Sequence, residues 1–373
     1  MREAGVDGSG NRAVLRTPSA PGGWTPDGRY FLYDDTPTAI MSVPSELRVL
    51  KENGATHAGP FTITAGALSW ANPLVDSSGG KIYALGRKWR GMLSRYEASS
   101  GQFIPYLDGI SADGVTFSRD GQWVAYTLWP ERTLWRSRSD GSQRLQLTFP
   151  PIKAFYPRFS PDGTLLAFAS GPAGNEPERW RVHTIPLSGG AITTLPGENQ
   201  QQAIPAWTPD GRSILFGGAP WLENWAPGST NLRLFDRRSG KIAPFPGGED
   251  LWAPKWSPDG RYVVAETLAS NQFMVYDATA TAPKWRELAK VSGVIGYSVW
   301  SRDSRYLYFN TSVDQKLYRI RLSDAMQEEV LHVSNFHISP SQGEWFGLAP
   351  DDSPLVLRDI SVHEVYRFNA VFP

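Results

Sequence analysis

The chain of 373 residues contains no cysteine. Disulfides, thiolate nucleophiles and cysteine metal sites are therefore excluded together. The compartment stays open, because a cysteine-free protein suits reducing and oxidising surroundings alike. An excess of charge is also missing: 37 Lys and Arg balance 37 Asp and Glu. Such a balance gives no overall field to gather nucleic acid or anionic lipid, so neither is an expected partner. No apolar run approaches the ~20 residues that span a bilayer, so membrane insertion is not expected. The polar, glycine-rich stretch from Met1 to Arg12 does not read as a signal peptide. The expectation is a protein that stays where it is made, or a fragment whose address lies upstream. A fragment of a membrane-anchored parent would be periplasmic.

Glycine (36), proline (30) and aromatic residues (15 Trp, 14 Tyr, 17 Phe) are plentiful. That mixture suits strands joined by tight turns. One phrase recurs. Trp24-Thr25-Pro26-Asp27-Gly28 precedes the apolar run Tyr30 to Tyr33, and the phrase returns as Phe159 to Gly163, Trp207 to Gly211 and Trp256 to Gly260. Weaker copies are Phe117 to Gly121 and Trp300 to Ser304. Ser78-Gly79-Gly80 and Pro350-Asp351-Asp352-Ser353 align by the strands that follow them. Taking the last turn residue as 28, 80, 121, 163, 211, 260, 304 and 353 gives a period near 46 residues, the length of one four-stranded propeller blade.

Ser or Thr, then Pro, Asp and Gly is the chemistry of a type I turn closed by a left-handed residue. The aromatic before the turn ends a first strand, where a large ring can wedge between adjacent sheets. Second turns such as Ser99-Ser100-Gly101, Asp140-Gly141 and Ser239-Gly240 bring the count to four strands per unit. The fold expected is all-β: one eight-bladed propeller over residues 1–373, or seven blades if a degenerate copy fails to form its own sheet. After Ser353 only two further strands fit, Leu355 to Leu357 and Val362 to Phe368. The N-terminal strand 11–17 is expected to complete that last blade, which removes an exposed edge.

These phrases resemble the TolB-type, WD-like propeller repeat over nearly the whole chain. Trp24 to Asp35, Leu134 to Ser142, Leu348 to Arg358 and Glu364-Val365-Tyr366 are most similar to propellers at the C-terminus of bacterial winged-helix regulators and serine/threonine kinases. The resemblance implies a sensing or docking module, here without winged helix, kinase lobe or membrane segment.

Catalytic motifs are sparse. Gly296-Tyr297-Ser298-Val299-Trp300 lacks the final glycine of a nucleophile elbow and falls in a first strand. The histidines, His57, His183, His332, His337 and His363, form no metal-binding spacing. Some TolB-like propellers resemble pectin-degrading lyases that hold a metal at the channel, and the nearness of His332 and His337 keeps that alternative open. No cofactor is expected. The Asp-Gly turns lack the alternating oxygens of a calcium loop.

The connections between second and third strands are where the repeat departs from turn chemistry. They carry Arg87, Lys88, Trp89 and Arg90; Trp129 and Arg132; Arg179 and Trp180; and Trp221, Glu223 and Trp225. Blade-to-blade connections add Lys153, Phe155, Tyr156 and Trp252. Tryptophan, tyrosine and arginine dominate binding hot spots, and tryptophans exposed in loops need an explanation. From this set Arg87, Trp89, Arg90, Trp129, Arg132, Tyr156, Trp180, Trp221, Trp225 and Trp252 are the candidate ligand- or partner-binding residues. The expected function is non-catalytic recognition, by a monomer, of a protein segment or a small polar ligand.

Overall fold

Each well-formed copy of the phrase folds as its chemistry requires. The Ser or Thr hydroxyl of residues 25, 118, 160, 208, 257 and 301 donates to the Asp two residues on at 2.5–2.7 Å. The backbone N–H of the closing residue returns to the first carbonyl at 2.8–3.0 Å. That closing residue lies at φ between +62° and +78°, the left-handed region where glycine carries no Cβ penalty. The hydroxyl donors hold the Asp27, Asp120 and Asp162 carboxyls below the usual range. In the degenerate copies the left-handed residue comes one position earlier than the alignment expects, at Gly79 and Asp352.

This computed structural model describes residues 2–3, 12–13, 22–35, 45–53, 56–64, 66, 68–171, 179–197, 201–218, 231–333, 337–339, 344–369 and 372. Among them the fold is all-β and of the β-propeller class, with eight antiparallel sheets of three or four strands, one for each turn phrase, besides a two-stranded pair near the N-terminus. Sheet 1 holds strands Gly23–Trp24, Tyr30–Asp34, Leu47–Asn53 and Thr56–Thr62; sheet 2 holds Ser69–Val75, Lys81–Lys88 and Val362–Asn369. Sheet 3 is Phe346–Leu348, Pro354–Asp359, Gly91–Glu97 and Gln102–Pro105. Sheets 4 to 8 are uninterrupted meanders whose first strands are Ala112–Phe117, Ala154–Phe159, Ala203–Trp207, Leu251–Trp256 and Ile295–Trp300.

The chain divides into two compact units. In the smaller (residues 1–91, 340–342 and 360–373), sheets 1 and 2 share apolar clusters built on Leu32, Val49 and Ile82 and on Leu47, Trp70 and Ala84. In the larger (92–339 and 343–359), sheets 3 to 8 pack in succession. Ala125 and Leu134 meet Leu166 and Phe168 between sheets 4 and 5. Val182 meets Trp207 and Phe216 between sheets 5 and 6, and Leu215 meets Val263 between 6 and 7. Phe273 meets Phe309 between sheets 7 and 8, and Tyr308 meets Phe346 and Leu348 between 8 and 3. Strand Phe346–Leu348 also lies against Ala112–Phe117, so sheet 3 meets sheet 4 and the six sheets close a ring.

Closure uses different strands from those expected. The partner of Pro354–Asp359 is Gly91–Glu97, and Val362–Asn369 pairs instead with Lys81–Lys88. Of the N-terminal strand 11–17, the described residues Arg12 and Ala13 pair with Arg2 and Glu3. A strand edge offers the same row of N–H and C=O groups to any comer, so packing of the faces decides the partner.

One irregularity positions the site. The first strands of sheets 2 and 4 to 8 each shift register in mid-strand. Asn72, Gly114, Tyr156, Ile204 and Ala253 occupy five of these bulges at φ between +49° and +60°. Proline follows four of them, where a missing N–H costs no ladder bond. Bulges bend a strand and re-aim the side chains around them. Within the larger unit, Trp207 Nε1 donates to the Arg158 carbonyl (3.0 Å) and Trp300 Nε1 to the Lys255 carbonyl (3.1 Å). Each indole thus ties one sheet to the bulged strand of its neighbour, which is the wedge expected of that aromatic.

Candidate functional site

The bulged first strands of the larger unit turn polar side chains toward the ring's axis. Tyr156 and Arg158 come from sheet 5, Lys255 from sheet 7 and Tyr297 from sheet 8. All four keep some exposure although they belong to the innermost strands, as the wall of a channel does. Sheets 5 and 8 are opposite members of the six, yet the Tyr156 hydroxyl and the Arg158 charge both perturb Tyr297. Burial raises the ionisation of Tyr156 and Tyr297 far above the phenol range, so both are neutral donors at any physiological pH.

Two ion pairs brace this axis. Arg132 Nη1 donates to Asp113 Oδ1 (2.8 Å) and Oδ2 (2.7 Å), and Thr127 Oγ1 adds a third bond to Oδ1 (2.6 Å). Both charged groups are almost completely buried, and the guanidinium lies 5.0 Å over the Phe155 ring. Arg132 reaches this position because its own backbone is left-handed (φ +60°) and bonded to Leu128 and Ala154. Its Nε and Nη2 are buried without acceptors. In the second pair Lys255 Nζ stands 3.4 Å from Glu266 Oε1, which also accepts from Ser298 Oγ at 3.2 Å. Burial pushes the Glu266 carboxyl up and the Lys255 ammonium down, and their mutual attraction opposes both shifts.

The residues nominated from sequence do not form one patch. Trp129, Trp180 and Trp252 are core side chains, 1%, 1% and 8% exposed, and so cannot present a binding face. Trp180 packs on Phe155 with ring centroids 4.9 Å apart, and Trp252 Nε1 donates to the Thr267 carbonyl at 3.0 Å. Arg132 is a buried ion-pair partner rather than a loop-tip residue. Tyr156 is placed at the axis. Arg87, Trp89 and Arg90 belong to the smaller unit, where the Arg87 guanidinium sits 5.9 Å over Trp89 and His363 meets that indole edge-on at 5.7 Å. Trp221 and Trp225 lie outside the described residues. Sequence reasoning missed Asp113, Arg158, Lys255, Glu266 and Tyr297. A usable signal existed: Pro73, Pro157, Pro205 and Pro254 each stand six residues before a left-handed glycine, and Arg158 and Lys255 follow two of them.

The histidines are scattered. Among the described residues, no three His, Asp or Glu side chains gather as a metal-donor set. His332 ends the outermost strand of sheet 8 and is exposed, as is His337. His183 is buried, stacked on Phe168 and bonded through both ring nitrogens to Ser170 (2.7 Å) and Thr194 (3.0 Å). Burial lowers its pKa to about 4. Because the unfolded chain binds this proton near pH 6.5 and the folded one does not, stability is full above 6.5 and falls as pH drops toward 4. The expected loss across that window is about 3 kcal/mol. Denaturant unfolding of wild type and His183→Gln at pH 7 and pH 4.5 checks this: the pH-dependent difference shrinks in the variant.

A β-propeller with a polar axis is the class of protein that these observations define. The solved structure of a TolB from Agrobacterium tumefaciens superposes with a TM-score of 0.52, at 15% identity, over 76% of this chain and 99% of its own. That likeness is one of fold alone. No family model matches the chain. Tricorn protease homolog 1 of Streptomyces coelicolor is 33% identical over 111 residues, 28% of this chain and 10% of its own length. The uncharacterized peptidase YuxL of Bacillus subtilis is 24% identical over 200 residues, 51% of this chain and 28% of its own. The chain thus spans well under half the length of these curated relatives.

Proposed function

We propose that this chain is a non-catalytic recognition propeller, acting as a monomer and as the sensing part of a larger regulatory protein. Its larger unit receives a protein segment or a small polar ligand at the axis. The observation that carries this reading is the set of ionisable side chains on innermost strands, where apolar packing would be more stabilising. Keeping charge there is costly unless something uses it. A recognition role without nucleic acid also agrees with the zero net charge. Arg87, Trp89 and Arg90, still partly or fully exposed, form a second candidate contact on the smaller unit.

The competing reading is a metal-dependent polysaccharide lyase using His332 and His337. Incubation of the full chain with oligogalacturonides and manganese or calcium, followed by ultraviolet absorbance of the unsaturated product, separates the two. The expected result is no turnover. Turnover abolished by His332→Ala or His337→Ala would overturn the recognition reading.

A further inference from the structure

We infer that the axial channel of the larger unit is a carboxylate-binding site in which the Arg158 guanidinium is the anchor, flanked by the Tyr156 and Tyr297 hydroxyls. This rests on the recognition reading above and names the chemistry of the ligand. The charges at the axis do not balance. Asp113 is matched by Arg132 and Glu266 by Lys255, and Arg158 is left over. Among the described residues no carboxylate pairs with Arg158, whose Nη1 donates only to the carbonyl of Pro157 at 2.9 Å.

A half-buried cation without a counter-ion is destabilising, and a bound anion relieves it. Other features point to the same ligand charge. The buried Arg132 has two N–H edges without acceptors, which adds positive potential around the channel. Those edges are themselves enclosed, so the direct contact falls to Arg158, which retains exposure. Its backbone is fixed by the Trp207 indole on its carbonyl, which holds the root of the side chain in place. Beside it the two tyrosines are neutral donors, suited to the outer lone pairs of a carboxylate already gripped by a guanidinium fork. Arg158 contributes one unpaired positive charge, which one carboxylate neutralises.

The carboxylate has two possible sources, a free small acid or the C-terminus of a peptide. Calorimetric titration of the full chain with acetate and with two short peptides, identical except for a C-terminal carboxylate or amide, distinguishes them against a chloride control of equal ionic strength. The acid peptide, acetate or both are expected to bind. Arg158→Gln should weaken that binding at least ~10-fold, with an unchanged or raised unfolding midpoint because an uncompensated charge is removed. Should that variant not fold, Arg158→Lys keeps the charge and loses the fork, and an intermediate loss is expected. Tight binding of the acid peptide alone, lost on amidation, assigns a chain terminus; equal binding of acetate assigns a small acid. If a probe binds Arg158→Gln as well as wild type, the anion lies elsewhere and this inference fails while recognition stands. If neither acetate nor the acid peptide binds, the inference also fails, and recognition survives only for uncharged partners.

Discussion

Arg132→Met is expected to lower the stability of the larger unit by about 3–5 kcal/mol, the usual cost of stranding one member of a buried ion pair. The variant leaves the Asp113 carboxylate, 3% exposed, with a single side-chain donor, Thr127 Oγ1. It also removes the cation seated over Phe155. The pair itself need not be a net stabiliser, because Arg132 Nε and Nη2 lack acceptors. Replacing both partners in Asp113→Leu/Arg132→Met should therefore recover most of the loss. The denaturant midpoint at constant slope is the measurement, and a single variant within ~1 kcal/mol of wild type would show that water reaches the pair.

Trp180→Ala carries the second large effect, about 3–5 kcal/mol, through the cavity an excised indole leaves. The side chain is 1% exposed, lies against Phe155 and Tyr156, and approaches Gly171 so closely that a Cβ there would meet the indole at 3.5 Å. Any loss of ligand affinity in this variant should follow the loss of folded protein. Trp89→Ala in the smaller unit is the contrast: its indole keeps some exposure, and the midpoint should move by less than ~1 kcal/mol.

These two variants also show what the sequence can and cannot say about the site. The turn phrase is local chemistry, a hydroxyl, a carboxylate and a left-handed residue within five positions, so it reads directly and it counted the sheets. The aromatic ending each first strand is nearly as local; Trp207 and Trp300 hold the wedge position, while Trp24 stays 48% exposed. Exposure of a loop residue is not local. Trp129 and Trp180 follow second strands, as loop residues would, but both are 1% exposed, and a loop's return path depends on tertiary packing. The axial charges were hidden for the opposite reason. Arg158 and Lys255 sit inside strands that look like ordinary half-buried β structure, and only the bulge at the preceding proline turns them to the centre. Strand exchange between sheets 2 and 3 was illegible because Gly91–Glu97 and Val362–Asn369 each suit either neighbour by pattern alone.

That exchange is what brings Phe346–Leu348 beside Ala112–Phe117 and so creates an axis at all. Amide hydrogen exchange on a variant lacking residues 1–20 tests it most directly. Strands Phe346–Leu348 and Pro354–Asp359 should remain as protected as in the intact chain, because their partner is Gly91–Glu97. Rapid exchange of both strands after that deletion would return the closing role to the N-terminal segment and contradict the six-sheet ring.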